Sequence, residues 1–394
     1  MISVKTALNK VDNSISQFTD NETVSTINAT GRVLSEDIKS PINMPPFNQS
    51  AMDGYALNLH DEKSYNMISE VKAGDNAQPV LQKGECVRIF TGAPVPETAN
   101  AVIMQEKTTA NKSQIIIEGE IALNANIRPH GEQVKQDQIA LKKGTVISSA
   151  SVGFLASLGI VKIPVYKKPS IAIIATGNEL IKPGNELEYG QIYESNSLML
   201  ESTLKDLNYT NVTNYKVKDD YDSTLTLLKE VIDNHDVVLI SGGISVGDYD
   251  FVGKALEALQ VEEVFYKIKQ KPGKPLLFGK KNNTLVFALP GNPAAALTCF
   301  YIYALKAIKK LEGNINFQLI KTTAKSTSDY IKKGNRSQFL KAIYNNNEVS
   351  ILEGQSSAML QTFSLANTFV YLEENEMEVK INDSVNLILF PTIY

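Results

Sequence analysis

Cysteine and histidine are scarce in this chain of 394 residues. The two cysteines, Cys86 and Cys299, lie far apart in the sequence. They offer neither a disulfide framework nor zinc-site spacing, which fits a reducing cytoplasm. The three histidines, His60, His130 and His235, are isolated from one another and argue against a transition-metal cage. Sites for hard cations, which are built from carboxylates, stay open.

Long apolar runs and a surplus of positive charge are also missing. The longest apolar stretch, residues 294–307, is interrupted by Lys306 and is too short to cross a bilayer. The amino-terminal residues lack the apolar core of a signal peptide. A formal net charge of −4 argues against a general nucleic-acid binder. We therefore expect a cytoplasmic protein that binds neither membrane nor nucleic acid.

Two catalytic signatures are absent from the sequence. No glycine loop ends in Gly-Lys-Ser or Gly-Lys-Thr, which argues against a P-loop kinase or GTPase, and no serine–histidine–carboxylate set is apparent. The composition is that of an ordinary globular protein, with 43% hydrophobic and 21% charged residues. The length suggests about two to four domains.

Changes of pattern divide the chain into four predicted domains. Helical spacing of apolar residues near the amino terminus and over residues 26–38 predicts a mixed helical domain, made of residues 1–44 and 130–168. Short apolar runs between glycines and prolines predict an inserted small β domain at 45–129. Strand–helix alternation over 169–312 predicts a doubly wound, three-layer α/β domain. Short β-runs over 313–394 predict a C-terminal β-barrel-like domain. The expected fold class is therefore multidomain, α/β plus β.

The apolar run at residues 237–240 is typical of a strand buried on both faces of a parallel sheet. It is followed by a loop with five small residues, Ser241, Gly242, Gly243, Ser245 and Gly247. Such a loop between a strand and a helix predicts an anion site at the carboxyl edge of the sheet. The alternative is a tight turn whose glycines are only steric.

Other predicted strands are also followed by polar or turn residues, and the carboxyl ends of parallel strands meet at one edge of the sheet. Lysines there would bind oxyanions, carboxylates would bind Mg²⁺, and an N-capping Asn292 before Pro293 would leave N–H groups free for an anion. The alternative is a set of rigid turns with solvated lysines. The candidate residues are Glu179, Asp220, Asp250, Lys267, Lys271, Lys274, Pro290, Gly291, Asn292 and Pro293.

Six motifs occur together in one order: SAMDGYA at 50–56, TGAPVP at 91–96, TGNEL at 176–180, SGGISVG at 241–247, KPGKP at 271–275 and LPGNP at 289–293. In this order the chain resembles the molybdopterin molybdenumtransferases of the MoeA type, which are related to the gephyrin E domain. The resemblance implies the last step of molybdenum cofactor synthesis, in which adenylylated molybdopterin and molybdate combine and AMP leaves. It also implies Mg²⁺ or another divalent cation. The implied assembly is an elongated homodimer whose cleft lies between the α/β domain of one subunit and the inserted β domain of the other.

The resemblance assigns roles to residues by motif match. Asp53 and Thr91 would line the cleft from the partner subunit and, with Glu179 and Asp250, take part in catalysis. The implied metal ligands are Glu179, Asp220 and Asp250. The implied substrate-binding residues are the glycine loop, Lys267, Lys271, Lys274, the residues from Pro290 to Pro293, and Ser357 from the C-terminal domain. A molybdopterin adenylyltransferase and molybdoenzyme maturation factors are implied as possible partners.

Three positions depart from the family pattern. Gln133 and Asn178 stand where carboxylates are usual, so that the expected polar or metal contact at residue 133 is in doubt. Arg336 is kept, but Lys341 stands where an arginine is common, which would lose a bidentate contact. Two other functions are weighed beside the enzyme: a gephyrin-like scaffold without catalysis, and a molybdopterin adenylyltransferase. The carboxylates and lysines argue against the scaffold, and the two β domains argue against the adenylyltransferase.

Overall fold

Strands outnumber helices in the computed structural model, which describes residues 1–18, 20–244 and 251–391. The chain divides into two units, one of residues 22–165 and the other of residues 1–21 together with the chain from residue 166 onward. Within the described ranges, none of the helices has the length and apolar character needed to span a membrane. The α-helices are α1 Val4–Ser14, α2 Ser149–Ser157, α3 Asn196–Asp206, α4 Tyr221–Asn234, α5 Phe251–Ala258, α6 Pro293–Cys299, α7 Leu305–Leu311 and α8 Leu360–Leu365.

The strands of the first half of the chain belong to the 22–165 unit, except for single residues at its two ends. They are β1 Asn21–Ser25, β2 Ile38–Lys39, β3 Gln49–Ser50, β4 Gly54–Leu57, β5 Ser64–Val71, β6 Glu85–Ile89, β7 Ala101–Met104, β8 Thr108–Asn111, β9 Gln114–Ile117, β10 Ile127–Arg128, β11 Ile139–Leu141 and β12 Lys162–Tyr166. Six of them form one sheet in the order β7-β4-β6-β5-β9-β8. Gly54 is required where β4 meets β7, because a Cβ there would lie 1.8 Å from the carbonyl oxygen of Ile103.

The predicted helix over residues 26–38 is wrong. This stretch holds one turn of 3-10 helix, Thr26–Asn28, and then a turn, two isolated bridges and a bend before β2. Val33 forms a bridge with Val146 and Leu34 forms one with Val165. Both are buried, so that pairing and burial against distant residues, rather than a helical face, account for their apolar character.

The α/β domain contains β13 Ile171–Thr176, β14 Leu180–Ile181, β15 Ile192–Tyr193, β16 Val212–Val217, β17 Val237–Ser241, β18 Glu262–Tyr266, β19 Gln270–Lys271, β20 Leu277–Lys281 and β21 Thr284–Leu289. Its main sheet has the order β16-β13-β17-β21-β20-β18. The first four strands are parallel, and β20 runs antiparallel to both of its neighbours. The carboxyl ends of β13, β17, β21 and β18 therefore lie at one edge. The apolar patterning missed β20, which joins β18 to the sheet.

Apolar layers cover both faces of this sheet. Every residue of β13 and β17 is buried, which explains why the predicted central strand lacks alternation. One face packs against α4 and α5, through residues such as Leu228 and Leu256. The other packs against α1, α3 and the continuous helical stretch in which the π-helical segment Phe300–Ala304 joins α6 to α7.

The C-terminal domain is a closed barrel. Its strands are β22 Lys321–Ser326, β23 Tyr330–Ile331, β24 Ser337–Asn345, β25 Glu348–Ile351, β26 Thr368–Leu372, β27 Glu378–Val379 and β28 Ser384–Leu389. The order β24-β25-β22-β28-β26 closes because β26 also pairs with β24. Its aromatic residues Phe363 and Phe390 pack against Tyr301 in the same cluster as the α/β domain. The predicted fold class is confirmed, whereas the four domain limits stay predictions.

Candidate functional site

A cavity of about 820 Å³ lies at the carboxyl edge of the α/β sheet. Its walls come from the loops that follow β13, β17 and β21, from the segment after β18, and from two parts of the C-terminal domain. The residues of this wall used below are Thr176, Glu179, Glu194, Asn196, Asp219, Ser241, Gly242, Gly243, Lys271, Lys274, Pro290, Gly291, Asn292, Pro293, Arg336 and Ser357.

The glycine loop after β17 approaches its neighbours closely. Gly242 and Gly243 have φ of +93° and +65°, and a Cβ on Gly242 would lie 2.8 Å from Oγ1 of Thr176. Glycine is therefore needed for both conformation and space. The predicted site residues Ser245, Gly247 and Asp250 lie outside the described residues.

Asn196, at the start of α3, ties two loops of the cavity together. Its Nδ2 donates to Oγ of Ser241 at 2.7 Å and to the carbonyl oxygen of Gly291 at 2.8 Å. Ser195, the residue before α3, does not cap this helix with its side chain. The amide nitrogen of Ser197 is held instead by the carboxylate of Glu194, at 2.9 Å. Buried Oδ1 of Asn196 and Oγ1 of Thr176 have no hydrogen-bond partner among the described residues, which leaves two polar atoms available to a ligand at the cavity wall.

The loop of residues 290–293 lines the cavity and leads into α6. Asn292 occupies the N-cap position with Pro293 as the first helical residue, as predicted, but its side chain does not cap the helix. Nδ2 of Asn292 donates to Oγ of Ser357 at 2.8 Å, and the amide nitrogen of Ala295 donates to the carbonyl oxygen of Ser357 at 3.2 Å. Ser357, the residue of the C-terminal domain that the resemblance implied at the site, therefore lies against the loop of residues 290–293.

The three predicted lysines differ in position. Lys271 and Lys274 line the cavity, Lys271 half-buried and Lys274 exposed. Lys267 is not among the residues of the cavity wall, and its Nζ lies 4.5 Å from the ring centroid of Tyr266. Arg336 does line the cavity, and its Nη1 donates to the carbonyl oxygen of Gln270 at 3.2 Å.

The cavity wall contains the carboxylates of Glu179, Glu194 and Asp219 but not that of Asp220, and the carboxylate of Glu194 accepts from the amide nitrogen of Ser197. Asp220 caps α4, because its Oδ1 accepts a 2.9 Å hydrogen bond from the amide nitrogen of Ser223. That bond is the main reason why the pKa of Asp220 lies below its ordinary value. Asp219 exchanges backbone-to-side-chain hydrogen bonds of 3.4 and 3.2 Å with Asn178. The signal that could have separated the two aspartates is the N-capping position immediately before a helix.

No group of three or more histidine, cysteine, aspartate or glutamate side chains that could hold a metal exists among the described residues. The carboxylates of Glu179 and Asp219 on one cavity wall still fit Mg²⁺, which binds through one or two protein carboxylates together with substrate phosphates and water. The donor set therefore fits a cation held jointly with a substrate and does not fit an all-protein cage.

In the 22–165 unit, two predicted site residues form a pair. Oδ1 of Asp53 accepts hydrogen bonds of 2.7 Å from both the amide nitrogen and Oγ1 of Thr91. These bonds lower the pKa of Asp53 below its ordinary value, the backbone bond more than the side-chain bond. Both residues are exposed, so the pair presents an ionised carboxylate at the surface of this unit.

Comparison with known proteins matches three family models along the chain. Residues 2–159 match the MoeA N-terminal region (domain I and II), residues 172–310 a probable molybdopterin binding domain, and residues 323–390 the MoeA C-terminal region (domain IV). The molybdopterin molybdenumtransferase of Haemophilus influenzae is 34% identical over 98% of this chain and 98% of its own length. The chain belongs to the molybdopterin molybdenumtransferase family.

Other members of the molybdopterin molybdenumtransferase family support the same relationship. The enzyme of that name from Staphylococcus aureus strain Mu50 is 33% identical over 86% of this chain and 83% of its own length. Among solved structures, the molybdopterin biosynthesis MoeA protein of Pyrococcus horikoshii OT3 superposes with a TM-score of 0.85 at 29% identity, over 99% of this chain and 100% of its own. The Haemophilus and Staphylococcus relatives are named as transferases, and the predicted resemblance to this enzyme family is confirmed.

Proposed function

We propose that this protein transfers molybdenum from molybdate to adenylylated molybdopterin, with release of AMP. The observation that carries the proposal is the composition of one cavity. Half-buried Lys271, the carboxylates of Glu179 and Asp219, and the glycine loop after β17 all line it. A tetrahedral oxyanion and a phosphate ester both need positive charge and N–H donors, and the carboxylates would need a cation between themselves and those anions.

The lysines and the 290–293 loop are proposed to bind the anionic parts of the substrates. Lys271 and Lys274 each bring an ammonium to the cavity wall. The unpartnered Oδ1 of Asn196 and Oγ1 of Thr176 supply further polar atoms, of which the hydroxyl can donate to an oxyanion. Ser357 joins this group through Asn292. Binding and orientation of the two anions are thus assigned to residues of the α/β and C-terminal domains.

The carboxylates are proposed to hold Mg²⁺ or another divalent cation against the phosphate of the substrate. Glu179 and Asp219 are the ligands favoured by position, and the family resemblance implies Asp250 as a further ligand. A bound Mg²⁺ would neutralise charge that develops on the departing AMP phosphate. Asp220 is the weaker candidate, because its carboxylate oxygen accepts from the first turn of α4.

The active assembly is proposed to be a homodimer in the cytoplasm. The Asp53–Thr91 pair would then act on the cavity of the partner subunit, as the family resemblance implies. A molybdopterin adenylyltransferase would supply the substrate, and molybdoenzyme maturation factors would receive the product. The cysteines Cys86 and Cys299 are free and buried, in keeping with a reducing compartment.

Three substrate mixtures distinguish this proposal from its alternatives. The enzyme should release AMP from adenylylated molybdopterin only when molybdate and Mg²⁺ are present. A non-catalytic scaffold would release none, and an adenylyltransferase would consume ATP with free molybdopterin. Chromatography of nucleotides after each incubation measures all three. Molybdate-independent AMP release, or ATP consumption with free molybdopterin, would contradict the proposed reaction.

A further inference from the structure

Lys341 is a buried lysine in β24 whose ammonium contacts only backbone carbonyl oxygens among the described residues. Only 3% of the residue is exposed. Its Nζ donates to the carbonyl oxygens of Gly354, Ser356 and Met359 at 2.9, 3.2 and 3.0 Å. An ammonium has three N–H donors, so its hydrogen-bonding capacity is filled by one loop. Lys341 therefore cannot make the substrate contact that an arginine at this position suggested.

A buried lysine without a carboxylate partner is a costly arrangement. Desolvation lowers the pKa of Lys341, and no nearby acid opposes that effect. The same loop is also held by Gln355, whose Nε2 donates to the carbonyl oxygens of Lys341 and Leu352 at 2.8 and 2.7 Å. Its Oε1 accepts from the amide nitrogen of Lys341 at 2.9 Å. The strand thus fixes both ends of this loop, residues 352–359.

The loop of residues 352–359 carries Ser357 to the cavity. On its far side, Oγ of Ser357 accepts from Nδ2 of Asn292, and its carbonyl oxygen accepts from the amide nitrogen of Ala295. Two of the carbonyl groups that Lys341 binds, those of Ser356 and Met359, stand on either side of Ser357 in the sequence. A shift of the loop would therefore change the position of Ser357 against the anion-binding loop 290–293.

We propose that Lys341 is a positioning residue, which holds Ser357 against Asn292 and so sets the affinity of the cavity for its oxyanion substrate. This inference rests on the proposed function. Lys341 touches no substrate and acts through Ser357. Substitution should therefore change the concentration of molybdate that the enzyme needs more than its turnover.

A second buried lysine of the barrel provides a matched control. Lys332 is 2% exposed, and its Nζ donates to the carbonyl oxygens of Glu373 and Glu374. Neither glutamate lines the cavity. Both lysines thus bury an ammonium against backbone, but only Lys341 holds a segment that reaches the site. Lys341→Met and Lys332→Met remove the same chemistry at the two positions.

The experiment compares these two variants by steady-state kinetics and by hydrogen–deuterium exchange. Lys341→Met should raise the KM for molybdate by about two- to tenfold, with kcat close to that of the wild type. It should also speed exchange at residues 356–359. Lys332→Met should leave the KM unchanged and speed exchange near residues 373–374. Equal KM values in the two variants, with unchanged exchange at residues 356–359, would overturn the proposal.

A double-variant test separates positioning from general destabilisation. In the background of Ser357→Ala, the Lys341→Met change should raise the KM no further, because its effect passes through Ser357. If the two substitutions raised the KM independently of each other, Lys341 would not act through Ser357. If Lys341→Met does not fold, Gln355→Met should reproduce the faster exchange and the higher KM, and wild-type values would overturn the inference. If the wild type releases no AMP, the proposed function fails, while exchange at residues 356–359 still decides whether Lys341 holds the loop.

Discussion

One oxygen of Asp53, Oδ1, accepts 2.7 Å hydrogen bonds from both the amide nitrogen and the hydroxyl of Thr91. This geometry favours the ionised carboxylate, and the pKa of Asp53 is lowered accordingly. Asp53 therefore stays charged at pH values where an ordinary aspartate begins to take up a proton. The pair supplies a fixed negative charge and not a group that exchanges protons near neutral pH.

Thr91→Val should raise the pKa of Asp53 towards its ordinary value, because the hydroxyl donor is lost while the stronger backbone donor stays. The pKa of Asp53 is lower in the folded than in the unfolded protein. The stabilisation by the Asp53–Thr91 hydrogen bonds is therefore fully present above the unfolded pKa and is lost as the pH falls through the folded pKa. NMR titration of the Asp53 side-chain carbonyl carbon measures the shift directly. An unchanged pKa in Thr91→Val would show that the hydroxyl does not stabilise the carboxylate.

Lys271→Ala should raise the molybdate concentration for half-maximal activity by about ten- to a hundredfold, since a hydrogen bond to a charged group contributes roughly 1.5–3 kcal/mol. Lys274→Ala should have the smaller effect, because Lys274 is exposed and solvent screens its charge. Lys271→Arg should retain only part of the wild-type affinity for molybdate. Kinetics at low and high salt measure this, with Lys325→Ala, an exposed lysine of β22, as the control. A half-saturating concentration unchanged in Lys271→Ala at both salt concentrations would remove this lysine from the site.

Substitution of the two neighbouring aspartates should affect two different properties, activity at Asp219 and stability at Asp220. Asp219→Asn should raise the Mg²⁺ concentration needed for AMP release, because Asp219 lines the cavity. Asp220→Ala should lower the free energy of unfolding, because α4 loses its N-cap. Mg²⁺ titrations of activity and chemical denaturation measure the two effects. If Asp220→Ala shifted the Mg²⁺ dependence and Asp219→Asn did not, the assignment of the two roles would be reversed.

Mixing two inactive variants tests the proposed shared site. Asp53→Ala and Glu179→Gln should each lose activity as homodimers. After unfolding and refolding together, about half of the dimers should contain one chain of each kind, and one of their two sites should be intact. The mixture should therefore recover about a quarter of wild-type activity. Light scattering gives the oligomeric state in parallel, and a mixture that stays inactive although it forms dimers would show that both residues serve the same subunit.

The doubly wound sheet and the convergence of loops on one edge could be foreseen because they follow from local signals, whereas the order of the strands was not predicted. The fully apolar run of β17 predicts a doubly covered strand, and the glycines after it predict a close approach of backbone. The helix predicted over residues 26–38 was wrong because Val33 and Leu34 pair with residues more than a hundred positions away in the sequence. The spacing of apolar residues within a short segment cannot predict such pairing.

The individual site residues were harder to predict than the fold. Two adjacent aspartates follow β16, and only the first turn of α4 decides that Asp220 faces the helix and Asp219 the cavity. Lys341 was expected to be a weakened substrate contact. Its burial and its carbonyl partners arise from a loop that closes 13 to 18 residues later, so its role depends on tertiary structure.

The most direct test of the central claim is a single-turnover experiment with purified protein, adenylylated molybdopterin, molybdate and Mg²⁺. AMP is quantified by chromatography and pterin-bound molybdenum by mass spectrometry in the same samples. The proposed reaction predicts that both appear at the same rate and in equal amounts, and that neither appears when molybdate is omitted. Release of AMP without molybdenum in the pterin, or insertion of molybdenum without release of AMP, would contradict it.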